Sequence, residues 1–408
     1  MSAAAPLPLE QARQRMLEPM RAVAQTESMV IGQALGRVLA ADLISPIDVP
    51  AHDNSAMDGF AVRAADLAPH GDTVLQVAGT ALAGRPYVGE VGPGRAVRIM
   101  TGAVMPAGCD TVVVQEVVRA TGDTVIVPAG QQAGQNRRLR GEDLAAGRAA
   151  IDAGRRLRPA DLGLIASLGL ARVEVRRRVR VAFFSTGDEL CSVGEPLRAG
   201  CLYDSNRPTI AGMLARLGVE AIDLGIVPDR PDALEQAMRT AAGQADVVVS
   251  SGGVSVGEAD FTRTVMDRLG TVDFWTIAMR PGRPLAFGRV GQAFYFGLPG
   301  NPVAVMVTFH FLVQDALLAL MGAAPVATPP MRVRSAAGFR KRPGRTEYQR
   351  AVLARGADGA WEARPTGQQG SGVLSSMSRA DCMVVLHHDQ GSVAPGDAVD
   401  VVLFEGLI

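Results

Sequence analysis

The chain has 408 residues, 48% of them hydrophobic and 20% charged, and its 41 basic residues balance 41 acidic ones. At roughly 100–200 residues per domain this is a globular composition with room for several cores, and it excludes a disordered, collagenous or coiled-coil chain. Zero net charge gives no overall field toward nucleic acid or membrane, so any electrostatic recognition has to be local.

Along the chain, residues 8–45 read as helical. Leu9, Met16, Met20 and Val23 fall at helical spacing, as do Val30, Leu35, Val38 and Leu39. Between 46 and 141, short β-branched runs (TVLQVAG, AVRIM, DTVVVQEVV, DTVIVP) alternate with Gly and Pro and predict a small β domain. Helical pattern returns in 142–178, in EDLAAGRAA and PADLGLIASLG, before the strand-like ARVEVRRRV. From 179 to 326 apolar strands alternate with amphipathic helices: VRVAFF, PTIAGMLARLG, VEAIDLGIV, PDALEQAMRTAAG, ADVVVSS and DFTRTVMDRLG. VDFWTIAM, PLAFG, AFYFG and the long PVAVMVTFHFLVQDALLALMG follow. That alternation predicts an α/β domain with a parallel sheet covered on both faces. The longest uncharged stretch, 290–314, is broken by GLPGNP and reads as strand, loop and buried helix rather than a membrane span. Past a linker, residues 327–408 return to β pattern, as a small barrel or sandwich.

Residue types remove several chemistries. Lys341 is the only lysine, so there is no P-loop, and a Schiff base would need this one residue in a Gly/Pro/Arg-rich stretch that reads as solvated. Aromatic residues, at 4%, are too few for serial base stacking. Cys109, Cys191, Cys201 and Cys382 show no CxxC spacing and read as reduced thiols. His387 and His388 are adjacent, a poor arrangement for zinc. The N-terminal MSAAAPLPLEQARQRM lacks a hydrophobic signal core, so a soluble, cytoplasmic protein is expected.

Three loops in the α/β segment stand out. Ser185-Thr186-Gly187-Asp188-Glu189 follows VAFF; SSGGVSVGEAD, from Ser250 to Asp260, follows VVV; Leu298-Pro299-Gly300-Asn301-Pro302 precedes the last helix. In an open α/β sheet ligands bind where strand carboxyl ends meet helix N-termini, and free glycine amides there suit phosphate. Asp188, Glu189, Asp229, Glu258 and Asp260 fall near the same ends. Carboxylates beside phosphate repel it unless a cation intervenes, which points to Mg²⁺ with phosphate or pyrophosphate. Asp260 as a helix cap and Asp229 as a turn acid remain alternatives. GVSVG also satisfies G-x-S-x-G, but its flanks are too glycine-rich and polar for a tight nucleophile elbow, and no HGGG-type loop accompanies it. Basic residues cluster at Arg280 and Arg283, and eight lie between Arg332 and Arg355 against one acid, Glu347. They form either a solvated strand face or a wall for a polyanion.

NSAMDGFAVR, MTGAVMPAGCDTVVVQE, STGDEL, YDSNRP, ADVVVSSGGVSVGEADF, PGRPLAFG, GLPGNPVAV, RTEYQR and QGSGVLSSMS occur in one order along the chain. Together they closely resemble the molybdopterin molybdenumtransferase family, the MoeA-like proteins akin to the E domain of gephyrin. The resemblance implies insertion of molybdate into adenylylated molybdopterin with release of AMP, assisted by Mg²⁺. It implies an elongated helical domain from 1–45 and 142–178, a β domain at 46–141, an α/β pterin-binding domain at 179–326 and a β barrel at 327–408. It also implies a homodimer whose cleft is shared between subunits. Molybdopterin adenylyltransferase and molybdoenzyme maturation factors are possible partners; nucleic acid and membrane are not.

Carried over by motif, Asp58 and Thr101 would reach the cleft from the partner subunit, and Glu189, Asp229 and Asp260 would hold magnesium or orient water. Ser185, Thr186, Gly187, Ser251, Gly252, Gly253, Ser255 and Gly257, with Pro299, Gly300, Asn301 and Pro302, would cradle phosphates and pterin. Arg280 and Arg283 would bind substrate, and Arg345, Arg350, Ser371 and Ser376 would line the barrel side. Thr276, Arg280 and Arg283 stand where family members commonly carry lysine, a change of geometry and, at Thr276, a lost charge. Alternatives are adenylyltransferase activity or a paralogue with shifted metal use, such as tungstate. A scaffold role, for which no added interaction tail is visible, is weaker.

Overall fold

The computed structural model describes residues 5–253, 259–324 and 330–404, with only the backbone for 259–261 and 274. Its centre is a six-stranded sheet of β1 (Arg180–Thr186), β2 (Glu220–Val227), β3 (Val247–Ser251), β4 (Gly270–Thr276), β5 (Pro284–Val290) and β6 (Ala293–Leu298), in the order β2-β1-β3-β6-β5-β4. The first four in that order run parallel, and β5 and β4 extend the sheet as an antiparallel edge. Alternation sends successive side chains to opposite faces, and both faces are covered. Val181 and Phe183 enter one core, Ala182 and Phe184 the other.

The longer α-helices of the described residues are α1 (Leu9–Leu17), α2 (Pro159–Ser167), α3 (Asn206–Leu217), α4 (Pro231–Gln244), α5 (Ala259–Leu269), α6 (Pro302–Thr308) and α7 (Gln314–Met321). α3, α6 and α7 cover one face of the sheet, and α4 and α5 the other. A π-helical turn, Phe309–Val313, joins α6 to α7 in one 20-residue apolar rod, Pro302–Met321. Two-thirds of that rod is buried in the core, so its hydropathy is explained by packing.

Residues 18–45 depart from the helical reading. Beyond α1 the chain forms the strand Thr26–Val30, paired antiparallel with Arg172–Arg176, then a 3-10 turn Ile31–Gln33. Gly36, at φ +73°, interrupts the apolar periodicity at a conformation that ends a helix. In 142–151 Gly147, at φ +80°, likewise makes EDLAAGRAA a turn followed by the strand Ala149–Ile151, and only α2 is helical there. Leu39, Leu157, Ile165 and Val175 form the small core of this part.

The six strands between Gly59 and Val127 make one sheet, with Val97 and Val112 packed on one face and Phe60 and Leu75 on the other. At the C-terminal end five strands close a barrel: Thr346–Arg355, Trp361–Pro365, Met331–Ser335, Ala398–Leu403 and Cys382–Leu386, which returns to the first. The short strand Met279–Arg280 adds parallel to Thr346–Arg355, with Arg280 opposite Glu347, and so splices the α/β unit to the barrel. Leu7 bridges Ile277 while α1 packs on α7, so the start of the described chain is also fastened to the α/β unit.

Candidate active site

The carboxyl ends of β1, β3 and β6 lie level, Ser185 opposite Ser251 and Ser251 opposite Leu298. A cavity of about 870 Å³ opens there. Its sheet-side wall holds Thr186, Gly187, Glu189, Asp229, Ser251, Gly252 and Gly253, and Pro299, Gly300, Asn301 and Pro302 continue it. Arg280 and Arg283 close one side, and Ser371 comes from the barrel. Loops separated by about 180 residues in the sequence therefore line one space.

Gly252 is required by geometry. Gly252 has φ +97° and donates its amide to Leu298 O at 3.1 Å, and a Cβ on it would lie 2.3 Å from Thr186 O. Gly300 touches the same loop, where a Cβ would meet the Gly252 Cα at 3.9 Å. Gly187, at φ +150°, leaves room for Glu189, whose Oε2 would stand 2.5 Å from any Cβ there.

Asn206 at the start of α3 ties two loops together. Its Nδ2 donates to Ser251 Oγ at 2.8 Å and to Gly300 O at 2.7 Å. Asp204 accepts from the Asn206 and Arg207 amides and fixes the start of that helix. Thr186 and Asn206 line the cavity, and their Oγ1 and Oδ1 atoms are buried with no hydrogen-bond partner among the described residues. A buried polar atom left so is costly.

Three family models match the chain: the MoeA N-terminal region over residues 7–169, a probable molybdopterin binding domain over 182–319 and the MoeA C-terminal region over 332–404. A molybdopterin molybdenumtransferase from Haemophilus influenzae is 43% identical over 404 residues, spanning 98% of this chain and all of that one. The chain belongs to the molybdopterin molybdenumtransferase family. A relative of the same name from a Nostoc species is 37% identical over 388 residues, 92% of this chain and 88% of its own. The solved structure of the molybdopterin biosynthesis moeA protein from Pyrococcus horikoshii superposes with a TM-score of 0.85 at 27% identity, covering 98% of this chain and 100% of that one.

Not every residue expected in this family member's site faces the cavity. Ser185 is buried beneath it. Arg350 and Ser376 are enclosed within the barrel side, at 1% and 0% exposure, rather than lining open space. Arg350 donates from Nε to Ser376 Oγ at 2.9 Å and from its Nη atoms to Gln369 O and Gly370 O at 3.2 and 2.9 Å. It thus braces the loop that carries Ser371. Burial, with Arg280 nearby adding to it, pushes its guanidinium down to about 10. Arg345 turns to a neighbouring cavity and pairs with Glu347 at 2.8 Å. Ser255 and Gly257 lie outside the described residues, as does the Asp260 side chain.

Asp58 and Thr101 form a pair within the β unit and are not among the residues lining the cavity. Asp58 Oδ1 accepts from the Thr101 amide and hydroxyl, both at 2.7 Å. Those bonds, with Arg98 adding charge, hold the Asp58 carboxyl below its ordinary value of 3.8.

Lys341, expected in solvent, is buried, and its Nζ donates to Arg342 O, His388 O and Gln390 O at 3.3, 3.1 and 2.6 Å. With three protons committed it is a structural pin and no Schiff-base nucleophile. Asp204 and Asn206 were not singled out as site residues. They stand in YDSNRP, where an Asp-Ser-Asn run before an apolar helix reads simply as a helix start. Gln369 and Gly370 open the QGSGVLSSMS motif, from which only Ser371 and Ser376 were carried over as site residues.

Proposed function

We propose that this chain transfers molybdenum from molybdate to adenylylated molybdopterin, with release of AMP. Family membership carries the coarser part: the chain is a molybdotransferase enzyme of molybdenum cofactor biosynthesis. The observation that supports the finer part is the single cavity in which glycine loops, three carboxylates (Glu189, Asp204 and Asp229), two arginines and a barrel serine converge.

Each feature suits one portion of such a substrate. The amides of Gly253 and Gly300, on the cavity wall, suit phosphate oxygens. Arg280 and Arg283 offer charge to a tetrahedral dianion and to the negative charge that develops as a phosphoanhydride breaks. Among the described residues no three Asp, Glu, His or Cys side chains gather into a metal-binding group. Magnesium requires no such cage, since it takes one or two carboxylates with substrate oxygens and water, and Glu189 and Asp229 are hard oxygen donors on one cavity wall. Those two would hold it, and its charge would offset that of the phosphates.

In this reading the Asp58–Thr101 pair serves the cavity of a second copy, in a homodimer with a shared cleft. The support is that both residues are fixed to each other at an accessible edge of the β unit, apart from their own chain's cavity. The assay is AMP release from adenylylated molybdopterin by the purified protein. Release is expected only when molybdate and Mg²⁺ are both supplied, and AMP formed equally fast without molybdate would overturn the reading.

A further inference from the structure

We propose that a second cavity, beside the catalytic one, binds a small tetrahedral oxyanion and feeds it past Arg280. The inference deepens the proposed function, resting on a dianionic substrate, and adds a separate place where that dianion is first held.

This second cavity measures about 940 Å³ and lies where the strand Met279–Arg280 meets the barrel. Six cationic side chains line it: Arg280, Arg283, Arg340, Lys341, Arg342 and Arg345. The only carboxylate among its described lining residues, Glu347, is buried and already engaged, 2.8 Å from Arg345 and 3.8 Å from Arg280. Arg283, Arg340 and Arg342 have no side-chain hydrogen bond or ion pair among the described residues. In a protein of zero net charge, three uncompensated guanidinium groups around one concavity are a strong local field, and concave walls focus it.

The wall is built rather than loose. Lys341 spends its protons on three backbone carbonyls, and its own amide and carbonyl bond Ser392 Oγ at 3.1 and 3.2 Å. That pin holds the turn on which Arg340 and Arg342 flank it. The ligand class follows from the donors. Guanidinium forks match the paired oxygens of a tetrahedral anion, whereas the lining shows no aromatic platform for a base or pterin.

The route onward is also present. A third space of about 310 Å³ shares Arg280, Arg340 and the carboxylate of Glu347 with the basic cavity, and Arg280, Pro281 and Gln369 with the catalytic one. Arg280 borders all three, and its side chain is 55% exposed, so it has room to turn between them. An anion released from Arg340 and Arg342 therefore meets Arg280 and Arg283, which line the basic and catalytic cavities alike, and these outnumber the one carboxylate on the way, Glu347, which is already paired.

The test combines a structure with kinetics. Crystals of the full chain soaked in tungstate should show an anomalous peak among Arg283, Arg340 and Arg342 as well as in the catalytic cavity. The double variant Arg340→Gln/Arg342→Gln should lose that peak and show about a tenfold lower kcat/KM for molybdate, carried by KM, with a shallower salt dependence. Arg340→Lys/Arg342→Lys, which keeps the charge, should recover most of the loss. A tungstate peak confined to the catalytic cavity, or a wild-type KM in the Gln variant, overturns the proposal. So does a parallel soak in which phosphate fills the basic cavity and tungstate does not. Tungstate held there by a protein that never turns over molybdate would keep this site and discard the insertion reading instead.

Discussion

Gly252 is a residue at which the candidate site tolerates little change. Its φ of +97° and the 2.3 Å approach of a would-be Cβ to Thr186 O act together. Gly252→Ala is expected to cost about 1–3 kcal/mol in strain. It should also displace the loop from Gly300, and urea melts beside an AMP-release assay would show both losses. Asn206→Ala should behave differently. It removes donors from Ser251 Oγ and Gly300 O, costing about 1–3 kcal/mol. Activity should fall further than stability, because the two loops lose their common tie. Among single residues, the loop glycines and, of the acids, Glu189 and Asp229 were legible as cavity-lining positions, because their types are unusual at strand ends. Arg350 and Lys341 were not. A cation buried against backbone carbonyls has the same local sequence as one in solvent, and only the closed barrel decides which it is.

At the scale of elements, the strands of the central sheet were readable from their apolar runs, and the alternation with helices gave their layering. The turn of β4, β5 and β6 into an antiparallel edge was not readable, since run length and hydrophobicity say nothing of strand direction. Residues 18–45 show the reverse failure. Their apolar spacing imitates a helix, but pairing of Thr26–Val30 with Arg172–Arg176, a contact made far along the chain, overrides it. The foot of β3 provides a test by pH. Asp246 is held by Arg177 through two bonds of 2.7 Å and by the Arg180 amide at 2.8 Å. Burial alone would raise its carboxyl, but these bonds outweigh it and the carboxyl lies below its ordinary 3.8. The stabilisation is therefore complete above that value and drains away as pH falls through the lower folded one. Asp246→Asn should lose about 1.5–3 kcal/mol at neutral pH. The gap from the parent should narrow in acid, as thermal melts across pH would record.

Across the whole molecule, two splices hold the α/β unit to its neighbours: Met279–Arg280 on the barrel, and Leu7 with α1 on Ile277 and α7. Arg13 bonds Asp315 of α7 at 2.7 Å. Burial nonetheless raises the Asp315 carboxyl, with Arg13 opposing. Arg13→Ala should leave that acid poorly solvated and lower stability by about 1–3 kcal/mol, with the deficit smaller in acid where Asp315 is protonated. Calorimetry at pH 5 and pH 8 would check the sign. Motif order along the chain made the family legible, while the meeting of its parts at Arg280 came only from the fold. The α1 splice bears on synthesis. About 300 residues separate α1 from α7, so a ribosome adding roughly 5–20 residues per second exposes α1 for about 15–60 s before its dock emerges. During that interval Ala12 and Met16, fully covered in the finished protein, stand open to chaperones.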